Sequence, residues 1–268
     1  CEQEEIIREN MLRAKELYPS GNAPLSWHPE IRSALACMTS TQRAVRLARE
    51  LGTRLHVTHI TTAEELSLFR AGDDRITAEA CVAHLLFTDE DYSSLGTLIK
   101  CNPAIKSRVH RDALRKAVAS GIVSTVSTDH APHSLEEKGA GTLDAPSGMP
   151  MVQFSLVSML HMALEEQLWT PETVVERMCH SQARAFGIDK RGFIRKGYYA
   201  DMVEVDPNGE TCITSHNIVS KCGWSPLEGR TMRSKVITTR VNGHTVYCHA
   251  APEAIGFFKR AMPLTFNR

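Results

Sequence analysis

Two hydrophobic periods alternate along the chain. Over residues 3–17 the apolar positions Ile6, Ile7, Met11, Leu12 and Ala14 gather on one side of a helical wheel, which predicts a helix. A loop follows at "YPSGNAPLSWHPE", where prolines and glycine interrupt any regular element. "STQRAVRLARELG" returns to the helical period, with Val45, Leu47, Ala48 and Leu51 apolar, Ser40 or Thr41 as the cap and Gly52 as the stop. "TRLHVTHI" reads as a short strand. "TTAEELSLFRAG" reads as a helix that opens on a Thr61–Glu64 capping box. "ITAEACVAHLLF" then predicts a strand, "VHRDALRKAVASG" a helix closed by Gly121, and "IVSTVSTD" a strand. Further helices are expected around 152–166 and over "TPETVVERMCH", the latter with Thr170 at the cap and Pro171 at the first helical position.

Strand and helix thus alternate to about residue 187, the mark of an α/β fold whose parallel sheet, open or closed into a barrel, is joined by crossover helices. Beyond 190 the period becomes that of strands, in "GFIRKGYYADMVEVDP" and "SKVITTRVNGHTVYC", and Asn242-Gly243 signals a hairpin. The expected division is an α/β part over 1–190 and a smaller β unit over 191–268, with a helix at "PEAIGFFKRAM".

Composition narrows the function classes. With 42% hydrophobic and 23% charged residues the 268-residue chain can bury a sizeable core. Lys plus Arg equals Asp plus Glu, 31 each, and no long run of like charge occurs, which argues against a nucleic-acid partner. The most apolar helical stretch, "MVQFSLVSMLHMAL", is too short to span a bilayer and carries Gln153 and His161. The eight cysteines are scattered without a CxxC pair, which fits reduced thiols in a cytoplasmic protein.

Candidate chemistry sits at two strand ends. His59 closes "LHVTHI", and by strand alternation it shares a face with Leu55 and Val57, opposite His56 and Thr58. Asp129 closes "IVSTVSTD", sharing a face with Val123, Thr125 and Ser127; Pro132 then turns the chain and carries His133 over it. Either residue alone suits a hydrogen-bonded strand end or a solvated turn. Both together, at the ends where parallel α/β folds collect ligand-binding groups, suit a zinc site. Asn102 is held extended before Pro103 and suits either turn chemistry or a contact. His84 and His180 read as packing histidines.

"LHVTHITT", "AHLLFTDEDY", "IKCNPAIKSRVHRDALRKAV", "STDHAPHSLEEK" and "DAPSGMPMVQ", in this order and spacing, resemble the dihydroorotase family of the amidohydrolase superfamily. The resemblance runs over nearly the whole chain; "NPAIKS" and "HSLEEK" favour dihydroorotase over its relatives. It implies a metal-dependent (β/α)8, TIM-like barrel, of which 1–190 is the C-terminal portion, flanked by the small β unit with its C-terminal helix. It implies His59 as a zinc ligand and Asp129 as both zinc ligand and general base. By the same matching Asn102 and His133 contact the substrate, and the main chain at Ser147-Gly148 holds its carboxylate or ring. The implied cofactor is one or two Zn²⁺, and the implied substrates are dihydroorotate and N-carbamoyl-L-aspartate, interconverted in pyrimidine synthesis. No nucleic acid or membrane partner is implied, and a homo-oligomer is left open.

The family's His-x-His motif with its arginine, and its anionic bridging ligand, have no counterpart in this sequence. The resemblance therefore places the start of the chain after the barrel's fifth strand, with a histidine ligand due just before Cys1, and implies a fragment inactive by itself. Two alternatives remain: another cyclic-amide hydrolase (allantoinase or dihydropyrimidinase), or a non-catalytic homologue that serves as a partner subunit.

Overall fold

The structure is a computed structural model that describes residues 2–21, 23–251 and 262–267. Cys1, and the expected helix at "PEAIGFFKRAM" apart from Met262, lie outside the described residues. Cα packing divides the chain into two compact units, one of residues 1–155 and 214–228, the other of 156–213 and 229–268. The boundary expected at 190/191 falls inside the second.

The first unit opens with the helix Glu4–Leu17, which buries Ile7 and Ala14 against Ile31 and Ala36. Glu4 and Glu5 in its first turn and Lys15 in its last complement the helix dipole. The next long helix, Ala34–Leu51, begins about two turns before the expected Ser40 or Thr41 cap. Ser33 caps it instead, its hydroxyl accepting from the Ala36 N–H at 3.3 Å. Thr41 is a buried interior residue whose hydroxyl donates to Glu65. Gly52 ends the helix in the left-handed conformation, φ 63°.

Strands β1 (Leu55–Val57), β2 (Ile76–Cys81) and β3 (Thr125–Ser127) form a parallel sheet in the order β1-β2-β3. Among the described residues this sheet is open, and the expected barrel is not closed. Leu55 pairs with Ile76 and Val57 with Ala78, while Glu79 pairs with Thr125 and Cys81 with Ser127. Paired residues share a face. One face of the sheet is therefore wholly apolar (Leu55, Val57, Ile76, Ala78, Ala80, Val126) and the other carries His56, Thr77, Glu79, Cys81, Thr125 and Ser127. The polar face is the one that leads toward the candidate site.

Two elements differ from expectation. "ITAEACVAHLLF" is a strand only to Cys81; Val82–Leu86 turns helical and every residue of it is buried. A continuous apolar run has no period that separates a buried strand from a buried helical turn. "TTAEELSLFRAG" forms just a 3-10 turn, Glu65–Leu68. No side-chain hydrogen bond caps it at Glu64; the carboxylate that binds the stretch before it belongs to Glu65. Glu65 is 1% exposed and accepts from the Thr61 N–H (3.2 Å), the Thr62 N–H (3.1 Å) and the hydroxyls of Thr62 (2.9 Å) and Thr41 (2.6 Å). Satisfying those donors draws the side chain inward and tightens the turn directly after His59.

The second unit begins with the rest of the helix Ser155–Leu164, in which His161 Nδ1 accepts from the Arg233 N–H at 3.0 Å. The helices Pro171–Val175 and Ser181–Phe186 are joined through a π turn at Glu176–His180. An antiparallel sheet follows, β4 (Met202–Cys212), β5 (Thr231–Val241) and β6 (His244–Cys248). Its first strand starts ten residues later than Gly192, where the β-like pattern begins, and it bulges between Asp206 and Glu210, where Pro207 has no N–H for the ladder. Asn242 (φ 53°) and Gly243 (φ 79°) make the expected hairpin turn. Among the described residues no helix is long and apolar enough to cross a membrane, and seven cysteines are free thiols.

Glu65→Ala strands the buried N–H groups of Thr61 and Thr62 and the Thr41 hydroxyl, and is expected to lower the stability of the intact protein by about 3 kcal/mol. Urea denaturation checks this; a loss below about 1 kcal/mol contradicts the role given to Glu65.

Candidate functional site

Each outer strand of the parallel sheet ends in the same way. β1 stops at Val57 and β3 at Ser127, and the second residue beyond each, His59 and Asp129, has a left-handed backbone (φ 40° and 44°). Non-glycine residues seldom adopt this region, and where they do the surroundings hold them there. The kink ends strand alternation before His59, so the parity that grouped it with Leu55 and Val57 does not reach it. The charges on Asp129 and Glu79 both act on or with the His59 ring.

His59 is half-buried. Its Nδ1 is fully shielded from solvent and has no hydrogen-bond partner. Burial lowers its pKa, with Asp129 opposing, so the neutral imidazole is favoured. An orphaned buried imidazole nitrogen near a carboxylate suits a metal ion. Asp129 is exposed at the end of β3. Together they fit two positions of a zinc ligand set, and no group of three or more His, Cys, Asp or Glu able to hold a metal occurs among the described residues.

His56 lies lower on the polar face and is engaged there. Its Nδ1 is 2.8 Å from Thr77 Oγ1 and its Nε2 3.4 Å from Glu79 Oε2. Burial pushes the Glu79 carboxyl up, but hydrogen bonds from His56 and Ser127 and the His56 and His59 charges more than offset it, so its pKa is lowered.

The loop that carries Asn102 is held by its main-chain oxygens. Lys138 Nζ donates to Lys100 O (3.2 Å) and Lys106 Nζ to Ala104 O (3.2 Å). His28 Nε2 lies 2.8 Å from Cys101 O and His84 Nε2 2.9 Å from Pro103 O. His84 is a packing histidine as expected, with this added duty. Asn102 Oδ1, between these anchors, is buried without a partner. Lys106 also donates to Thr61 Oγ1 at 3.2 Å, linking this loop to the turn after His59.

His133 follows Asp129 on its loop. Its carbonyl accepts from Trp224 Nε1 at 2.8 Å, and its Nδ1 is 3.8 Å from Glu137 Oε2. The short helix Leu135–Lys138 starts at once, with Ser134 and Glu137 forming a reciprocal capping box. His130, between Asp129 and His133, accepts the N–H groups of Met151 and Val152 on Nδ1, both at 3.2 Å.

Both main-chain polar groups of Gly148 are used within the chain. Its N–H donates to Lys100 O at 2.8 Å and its carbonyl accepts from Lys138 Nζ at 2.9 Å. A Cβ on Gly148 would stand 2.5 Å from Ala131 O, so only glycine permits this approach, with φ 137°. Ser147 beside it is half-buried. Lys100 Nζ holds the preceding stretch through the carbonyls of Thr142 (2.7 Å), Leu143 (3.4 Å) and Ala145 (2.5 Å).

Sequence reasoning missed Lys100, Lys106, Lys138, Glu65 and His28. Their one signal is placement: the lysines flank apolar runs in "TLIKCNPAIK" and end "SLEEK", where a solvated charge has no reason to repeat. His180, by contrast, stacks on Phe193 with ring centroids 4.4 Å apart, as a packing histidine does.

The sequence signature of the amidohydrolase family matches residues 22–246. The chain belongs to the amidohydrolase family. Among the proteins it is similar to are a dihydroorotase of Halobacterium salinarum, 36% identical over 81% of this chain and 50% of the relative, and a dihydroorotase of Clostridioides difficile, 30% identical over 90% and 62%. An allantoinase of Rubrobacter xylanophilus is 33% identical over 81% and 48%. Among solved structures, an L-hydantoinase (dihydropyrimidinase) from Arthrobacter aurescens superposes with a TM-score of 0.84 at 25% identity, covering 91% of this chain and 55% of that one. The chain spans about half the length of most of these relatives.

Burial pulls the pKa of both His28 and His84 from 6.5 to about 3. Between those values the unfolded chain takes up protons that the folded chain refuses, so stability falls as pH drops through this window. Replacing both by Gln keeps a donor for each carbonyl and removes the titration. Urea midpoints of the double variant are therefore expected to fall less between pH 6.5 and pH 4 than those of the wild type. Equal falls would contradict neutral, buried rings.

Proposed function

We propose that the intact protein is a zinc-dependent dihydroorotase, which interconverts dihydroorotate and N-carbamoyl-L-aspartate. The observation that carries this reading is the matched placement of His59 and Asp129, two residues beyond β1 and β3 with the same left-handed backbone. Its support in the comparisons is the amidohydrolase signature and the number of dihydroorotases among the relatives.

In this reading His59 and Asp129 hold zinc. Zinc held by them would supply Lewis acidity toward the ring carbonyl and would lower the pKa of a water toward ~7. Asp129, exposed at its strand end, accepts the proton of the attacking water and returns it to the leaving amide nitrogen. A group in that role contributes about 10²–10⁴-fold. Asn102 and His133 orient the ring. Because Gly148 spends its N–H on Lys100 O, the Ser147 main chain is the part of that turn which meets the substrate, and Gly148 serves by its close approach to Ala131.

A catalytic zinc normally takes three protein ligands. The described residues offer His59 and Asp129, so the reading assigns no activity to residues 1–268 alone. It also assigns 1–190 to the barrel and 191–268 to the flanking β unit, and places the protein in the cytoplasm. The second reading, hydrolysis of another cyclic amide, is favoured by the similarity to an allantoinase.

Turnover of dihydroorotate and of allantoin by the intact protein separates the two readings. Dihydroorotate is expected to be the better substrate; preference for allantoin would overturn the assignment. Asp129→Ala is expected to lower dihydroorotate turnover by at least about 10²-fold with an unchanged far-UV circular dichroism spectrum. Retention of most of the turnover would remove Asp129 from the chemistry.

A further inference from the structure

The segments given substrate contacts above meet at one side chain outside the site. Lys138 is 1% exposed. Its Nζ donates to Lys100 O (3.2 Å), two residues before Asn102, and to Pro146 O and Gly148 O (both 2.9 Å), which flank Ser147. Its own chain begins the link back to His133, through a helix of four residues capped at Ser134. An ammonium has three donors, and all three are spent on main-chain oxygens of these two segments. The Lys138 carbonyl in turn accepts from Thr97 Oγ1 at 2.5 Å, which anchors the hub to the stretch before Lys100.

A buried ammonium is costly to desolvate, and burial lowers the Lys138 pKa to about 8. A cheaper brace for a surface loop is an ordinary turn. What the ammonium adds is a fixed distance between segments far apart in sequence. Pulling Pro146 O and Gly148 O onto the same nitrogen as Lys100 O sets how far the Ser147 turn stands from Asn102. The Gly148 N–H bond to Lys100 O and the approach of Gly148 to Ala131 complete the clamp.

We propose that Lys138 is a positioning residue for substrate binding: it fixes the Ser147-Gly148 turn against the Asn102 loop and the His133 segment, so that the substrate's ring and carboxylate meet preset contacts. This inference rests on the substrate contacts of the proposed dihydroorotase site. Lys138 touches neither His59 nor Asp129 in the contacts above, so its loss should spare the metal and the proton transfer.

The test uses the intact protein as wild type, Lys138→Met and Lys138→Gln. Methionine fills the space without a donor; glutamine restores two N–H donors. The expected result is a KM for dihydroorotate raised at least about tenfold in Lys138→Met and less in Lys138→Gln, with kcat within about threefold and zinc content unchanged. Amide hydrogen exchange should quicken over residues 142–149 and remain as in wild type over the sheet β1-β2-β3. A fall in kcat and zinc content at unchanged KM, exchange at 142–149 equal to wild type, or loss of the folded state in both variants would each overturn the proposal. If the wild type fails to turn over dihydroorotate, the substrate assignment fails by itself. The exchange comparison then decides alone whether Lys138 positions the turn: local quickening upholds it, and no change overturns it.

Discussion

Main-chain carbonyls beyond the end of a parallel strand have no sheet partner, and burying them unpaired is costly. After β2 this chain buries such oxygens from Lys100 to Ala104 and answers them with side chains: Lys138, His28, His84 and Lys106. The site depends on that exchange. It lets an irregular loop be buried while leaving Asn102 between its anchors with a buried oxygen still unpaired. Lys106 and Lys138 then carry the same constraint outward, one to the turn after His59 and the other to the turn at Ser147.

The strand ends show the complementary strategy. His59 and Asp129 are held in left-handed backbone, a region that few non-glycine residues occupy. The Glu65 carboxylate fixes the turn after His59, and His130 with Gly148 fixes the loop after Asp129. Among the buried side-chain atoms without a partner, which also include His84 Nδ1 and Thr125 Oγ1, His59 Nδ1 and Asn102 Oδ1 belong to residues that the proposed reading assigns to metal and substrate.

Much of this was legible in the sequence. Strand ends are readable because alternation stops at Pro132 and at the Thr61-Thr62 pair, and that placed His59 and Asp129 together. Asn242-Gly243 announced its hairpin because few other pairs tolerate two positive φ angles. The helical turn Val82–Leu86 was not legible, since every position in it is buried and all but His84 are apolar, so it shows no period. The side of the sheet that His59 serves was also hidden, because alternation assumes extended backbone and φ 40° breaks it. The buried lysines escaped for a different reason. Their partners are main-chain oxygens, which every residue carries, so nothing in the sequence marks the acceptors.

In the proposed reading the kinked residues beyond β1 and β3, and not the histidine within β1, form the metal-binding end of the sheet. Zinc content per folded molecule, measured in the intact protein for His59→Ala and for His56→Ala, tests it most directly. His59→Ala is expected to lose most of the bound zinc, and His56→Ala to retain it, because His56 is already engaged by Thr77 and Glu79. Equal losses in the two variants, or full retention in His59→Ala, would contradict the account.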